Sequence, residues 1–181
     1  LAWAGATAAA FLVLPLAFVL AGHRESPASI GYSHRGFLRH APVYLGLYLA
    51  MLPAVLVVAQ REDFRATYPF VAEARESLGA FVTWELAYLA QFFALEAFFR
   101  GYLLFTLERA MGRLAICAMA VPYGMIHFHK PFLEALGAVV AGLVLGHLAL
   151  RYRSFYGGVL LHGAVALTMD LLAAGRGGLF R

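Results

Sequence analysis

Two residue types that soluble proteins use freely are almost missing from this chain of 181 residues: one cysteine, Cys117, and one lysine, Lys130. A single cysteine excludes a disulfide within the chain and a thiolate metal cluster. Cys117 stands in an apolar run, which predicts a buried, inert thiol. Charge is also scarce, at 13% of residues against roughly 25% in a soluble domain. With 62% hydrophobic residues and a mean hydropathy of +0.76, there is too little polar surface for an ordinary water-facing domain. There is no internal repeat, no low-complexity linker and no soluble module. The sequence also lacks a His-Glu-x-x-His helix, a serine nucleophile elbow, a P-loop and a dinucleotide fingerprint. The net charge of +4 and pI near 9.5 do not point to nucleic acid. The basic residues lie singly in short loops between apolar stretches, as juxtamembrane arginines do, and no dense basic run appears. The expected partner is the lipid bilayer, and no nucleic acid.

What the sequence has in abundance is apolar segments of membrane length, at ~20 residues per span. They predict an all-α, polytopic transmembrane helical bundle of about six spans: residues 2–21, 42–59, 81–107, 114–128, 133–150 and 155–174. The first is too long for a signal peptide, and Gly22-His23-Arg24-Glu25 is a poor cleavage context. The chain begins at Leu1, and the expectation is that its natural N-terminus lies upstream. Residues 23–40 form a polar loop. Residues 61–76 form a second, with a short interfacial helix expected in it. Pro53 falls inside the second span, where neighbouring helices can satisfy the freed carbonyl. Gly137, Ala141, Gly142 and Gly146 suit close packing of the fifth helix. Alternate loops carry seven arginines on one side and six basic residues on the other, which sets no orientation. The chain divides into an N-terminal pair of spans (1–79), a four-span core (80–174) and a polar tail (175–181).

Ionisable residues at membrane depth are the informative exceptions. A charge at the bilayer centre costs about 2.5–3.5 kcal/mol on insertion scales, so such groups are expected to be paired and to face the bundle interior. Glu96 and Arg100 are four apart and share a helix face, where pairing offsets part of both desolvation costs. Gly101 beside them is expected to let a neighbouring helix come close. His127 is expected to face the interior near the end of the fourth span, and His162 lies well inside the sixth. His129 is placed at the membrane surface, His147 in a packing or interfacial role, and Glu85 in a structural or interfacial one. Asp170 is eight residues after His162, ~12 Å along the helix and ~80° around it. The two cannot bond within one helix, so Asp170 is expected to meet another helix.

One carboxylate and two imidazoles in a water-poor cavity are enough to activate water: a base takes the proton and donors stabilise the oxyanion. A metal is the second option, with Glu96, His127 and His162 as ligands of a divalent ion such as zinc and one position open.

The second half of the chain resembles the CPBP family, the CAAX-protease and bacteriocin-processing intramembrane proteases. Its motifs are a pair of glutamates, three residues and then Arg-Gly, an aromatic residue four before a histidine, and a histidine four before Asn or Asp. Leu95-Glu96-Ala97-Phe98-Phe99-Arg100-Gly101 matches the first motif from its second glutamate onward. Tyr123-Gly124-Met125-Ile126-His127 matches the next, and His162 the last. Gly142-Leu143-Val144-Leu145-Gly146 and Ser154-Phe155-Tyr156-Gly157-Gly158 resemble the segments between. The first glutamate is Leu95 here and the final Asn/Asp is Ala166, so the likeness is to a divergent branch with a single glutamate. The resemblance implies an intramembrane endopeptidase acting by Glu/His-activated water on a membrane-associated protein or peptide. Glu96, Arg100, His127 and His162 would be its catalytic set, Asp170 an accessory, and a prokaryotic cell membrane its location. The alternative is an inactive relative that binds or shields a peptide, favoured by Leu95 and Ala166. A small transporter is a third reading, weakened by the lack of inverted repeats.

Overall fold

The computed structural model describes residues 2–22, 26–177 and 179. His23, Arg24 and Glu25 of the first polar loop, and part of the tail, lie outside the described residues. Among those described, the chain is helical throughout, without strands. Helix α1 (residues 2–22) is interrupted by π-turns at Ala9–Val13 and Phe18–Gly22. It is followed by α2 (Phe37–Val58), the short α3 (Glu62–Thr67) in the second polar loop, α4 (residues 78–111), α5 (Ala115–Met125), α6 (Phe132–Tyr152) and α7 (Tyr156–Arg176). The interfacial helix expected between the second and third spans is α3.

The all-α bundle is as predicted, but the spans differ from six equal ones. Four helical runs are long and apolar enough to cross a membrane: Phe37–Val58, Leu78–Met125, Phe132–Tyr152 and Tyr156–Arg176. The first predicted span is a shorter apolar helix, Gly5–Ala21. The third and fourth belong to one run that doubles back at Gly112. A straight helix would hold Tyr123 ~35 Å from Arg100 at 1.5 Å per residue, yet the Arg100 guanidinium lies 3.6 Å from the Tyr123 ring centre. Gly112 sits at φ +56°, ψ −135°, a conformation that glycine adopts without the Cβ clash other residues meet. Helix α5 has 11 residues, ~16 Å at helical rise, and ends well short of the ~30 Å hydrocarbon core. It is shorter than the expected 114–128 because the apolar sequence continues past the point where the backbone leaves the helix.

Ser77 caps α4, its hydroxyl accepting from the Ala80 N–H at 3.2 Å, as Ser at an N-cap does. Helix α7 runs antiparallel to α4, since Trp84 meets Asp170 and Phe92 meets His162. It lies beside α2 through the Tyr48–Thr168 hydroxyl pair at 2.8 Å. Helices α5 and α6 pack antiparallel through two glycines. A Cβ on Gly142 would lie 3.1 Å from the Tyr123 ring, and one on Gly146 2.8 Å from Met119. Gly137 has nothing within 4 Å of that position and takes no part in this packing. Gly101 admits the short 3-10 turn Pro27–Ile30 of the first polar loop rather than a membrane-length helix: its Cβ position is 2.9 Å from the Ile30 carbonyl oxygen.

Cys117 is exposed on the outer face of the bundle, contrary to the buried thiol expected. Apolar neighbours in sequence mark a lipid-facing position as readily as a core one, because lipid is itself apolar.

Candidate functional site

Helix α4 changes winding where its buried charges lie. Ala97–Leu103 forms a π-helical segment that includes Arg100, a wide turn of the kind that recurs at functional sites. Glu96 and Arg100 are both fully buried. Arg100 Nη1 donates to Glu96 Oε1 at 2.7 Å, and the guanidinium lies over the face of Tyr123 on α5. This cation–π contact is worth ~2 kcal/mol when desolvated. Arg100 Nε and Nη2 have no hydrogen-bond partner, so the aromatic face is what meets the rest of the cation.

From α7, His162 Nδ1 reaches the same Glu96 Oε1 at 2.9 Å. Its ring packs on Phe92 with centroids 4.3 Å apart. Gly158, one turn earlier, makes room for the carboxylate: a Cβ there would lie 2.5 Å from Glu96 Oε2. His127 sits in the turn after α5, buried, with Nδ1 2.8 Å from the Tyr123 carbonyl oxygen. A carbonyl only accepts, so His127 Nδ1 donates. In the neutral ring Nε2 is then a lone-pair nitrogen. An ionised Glu96 imposes the same tautomer on His162. The two ring centroids are 6.5 Å apart.

Both histidines line a cavity of ≈ 810 Å³. Its walls include Met51 and Val55 of α2, Leu95 of α4, and Leu161 and Ala166 of α7. It extends to the end of the bundle where the second polar loop and the start of α6 lie, at Tyr68, Lys130 and Glu134. There Tyr68 donates to Glu134 at 2.6 Å, and Lys130 Nζ bonds Tyr68 at 2.7 Å and pairs with Glu134 at 3.1 Å. Burial and the Glu134 carboxylate push the Tyr68 hydroxyl well above its ordinary pKa, which keeps it a donor. Burial also pulls Lys130 below the usual lysine value, with Glu134 opposing.

The four central residues predicted from sequence therefore come together, but not as equals. Glu96 and Arg100 lie behind the cavity wall, and the histidines form part of it. The two positions where the chain departs from the family pattern, Leu95 and Ala166, both face the cavity. Asp170 does not join this group. It is fully buried, its Oδ2 accepts from Trp84 Nε1 at 3.2 Å, and it interacts with Glu85. Asp170 meets another helix as expected, at a separate polar point some two turns from His162. Glu85 is buried there, beside Asp170. His129 is exposed. His147 lies 3.3 Å from Arg113 at the opposite end of the bundle.

Tyr123 and Gly158 were in view as motif residues, but their work was not: one holds Arg100, the other admits Glu96. The glycine pair at the start of α7 was the available signal. Trp84 and Phe92 gave none, because aromatic residues on an apolar helix are ordinary core.

The donor set bears on a metal. His127 and His162 could each offer Nε2, but Glu96 is enclosed and its Oε1 is already shared by Arg100 and His162. Among the described residues no three His, Cys, Asp or Glu side chains form a metal-binding group. Glu96 instead meets His162 directly, through Nδ1.

Comparison with curated proteins found no match, and comparison with solved structures found none. A family model, type II CAAX prenyl endopeptidase Rce1-like, matches residues 77–168. That stretch begins at the cap of α4, holds Glu96, Arg100, His127 and His162, and stops short of Asp170. It covers just over half of the chain and bears out the resemblance read from the motifs: the chain belongs to the Rce1-like family of type II CAAX prenyl endopeptidases, a family of proteases.

Proposed function

We propose that this protein is an intramembrane endopeptidase that hydrolyses a peptide bond of a membrane-associated protein or peptide with histidine-activated water. The observation that carries this reading is the 2.9 Å contact between Glu96 and His162 at the wall of a cavity that His127 also lines. The 6.5 Å between the two rings suits one water held ~2.8 Å from each Nε2. His162 takes a proton from that water as its oxygen attacks the scissile carbonyl. Glu96 orients the ring and stabilises the imidazolium, the part a carboxylate plays in a catalytic triad. His127 accepts the water's other hydrogen and fixes its direction. The His162 imidazolium then protonates the leaving amine. Arg100 pairs with Glu96 at 2.7 Å and fixes the direction of its carboxylate.

A second reading has its own support. Leu95 and Ala166 leave the cavity wall apolar where the family pattern has Glu and Asn/Asp, which suits a protein that binds or shields a peptide without cutting it.

The test is reconstitution with a library of membrane-inserted peptides, comparing wild type with Glu96→Gln, His127→Ala and His162→Ala. Wild-type cleavage that falls by about 10²–10⁴-fold in each variant supports the site. Cleavage unchanged by all three sinks it. Peptide binding with no wild-type cleavage favours the second reading. Activity that survives EDTA supports water held by protein groups alone, whereas loss reversed by zinc would put a metal between the histidines.

A further inference from the structure

Hydrolysis through a tetrahedral intermediate needs a hydrogen-bond donor aimed at the developing oxyanion. The polar side chains around the cavity are mostly committed elsewhere. Tyr68, Lys130 and Glu134 bond one another at its outer end, and Tyr88 lies 3.4 Å from Lys130. His127 and His162 are occupied by the water in the proposed reaction. Ala166 has no polar atom to offer.

Gln91 remains. It lines the cavity, is 97% buried at 3% exposure, and its Oε1 has no hydrogen-bond partner. A buried amide left partly unsatisfied costs about 1–3 kcal/mol, a cost an apolar side chain of similar length would avoid. Gln91 precedes Leu95 by four residues, so it is ~6 Å away along α4 and ~40° around it. It therefore stands on the same cavity-facing side as the position where the polar group of the family pattern is absent.

We infer that Gln91 is the amide that stabilises the oxyanion formed from the substrate's scissile carbonyl, its Nε2–H₂ donating to that oxygen as the negative charge develops. This inference rests on the endopeptidase reading. It assigns that site a donor outside the motif residues and gives a polar function to a position one turn from Leu95.

The test uses the full chain in proteoliposomes with a cleaved peptide, the same peptide made uncleavable, and the corresponding peptide aldehyde, whose hydrate is tetrahedral. Two apolar variants, Gln91→Met and Gln91→Leu, guard against one failing to fold. The expected result is a fall in kcat of about 10²–10³-fold with KM within about threefold. Aldehyde affinity should fall in step while the uncleavable peptide binds as before. A kcat within about threefold of wild type in a folded variant overturns the inference. So does an equal loss of affinity for aldehyde and peptide, which would mark Gln91 as a packing residue. If Glu96→Gln is inactive while Gln91→Met cleaves normally, this inference fails alone. If wild type cleaves nothing, the endopeptidase reading fails and this inference with it.

Discussion

Glu96 accepts two hydrogen bonds on one oxygen and packs the other against Gly158. Its charge is tolerable because Arg100 stands beside it and Tyr123 covers Arg100. Removing one partner of a buried pair leaves the other charge uncompensated, at about 3–5 kcal/mol. Arg100→Met should therefore lower the unfolding free energy in detergent by about that amount, and adding Glu96→Gln should recover much of it. A double variant as unstable as the single one would show that Arg100 acts through packing on Tyr123 instead. The Glu96–Arg100 pair was legible in the sequence because a spacing of four fixes the geometry locally. The Glu96–His162 contact was not. It joins residues 66 apart, and the motifs placed both in one site without saying which atoms meet. Gln91 is visible in the third span but gains no role from the sequence, because a lone amide on an apolar helix carries no motif.

At the scale of elements, His127 is placed by a helix that ends early. Helix α5 stops at Met125, and His127 occupies the following turn, held by the Tyr123 carbonyl. Its position depends on how closely α5 approaches α6, and Gly142 and Gly146 set that approach. Gly146→Leu puts a branched side chain where even a Cβ lies 2.8 Å from Met119. Overpacking of this kind costs about 1–3 kcal/mol. The expected outcome is a modest fall in stability with a much larger loss of peptide cleavage, because α5 carries His127 with it. Cleavage that falls only in proportion to the folded fraction, measured by unfolding in detergent, would show that the α5–α6 spacing does not position the histidine. The small residues of α6 were readable as packing glycines. The early end of α5 was not, since apolar residues in a turn and in a helix look alike when both are enclosed by the bundle.

At the scale of the whole molecule, the described residues that line the cavity run from the histidines to the end of the bundle where the second polar loop lies. The cavity's outer lining comes from Phe64, Tyr68, Phe70 and Val71 of the second polar loop and from His129, Lys130, Leu133 and Glu134. The opposite end carries Arg35, Arg113 and His147, none of which lines it. A peptide would therefore reach the histidines from the side of the second polar loop. Hydropathy located the helices but not this asymmetry, which comes from where α5 stops and from Tyr68 of the 59–77 segment meeting Glu134 in the first turn of α6. The single native thiol makes the point testable. In a Cys117→Ser background, Leu133→Cys places a thiol on a residue that is 44% exposed and lines the cavity, while Arg35→Cys places one on the far end. A bulky maleimide on Cys at 133 should block cleavage of a membrane peptide, and the same label at 35 should leave the rate near that of unlabelled protein. Inhibition from 35 with none from 133 would reverse the direction of entry, since a label can obstruct only the route the substrate uses.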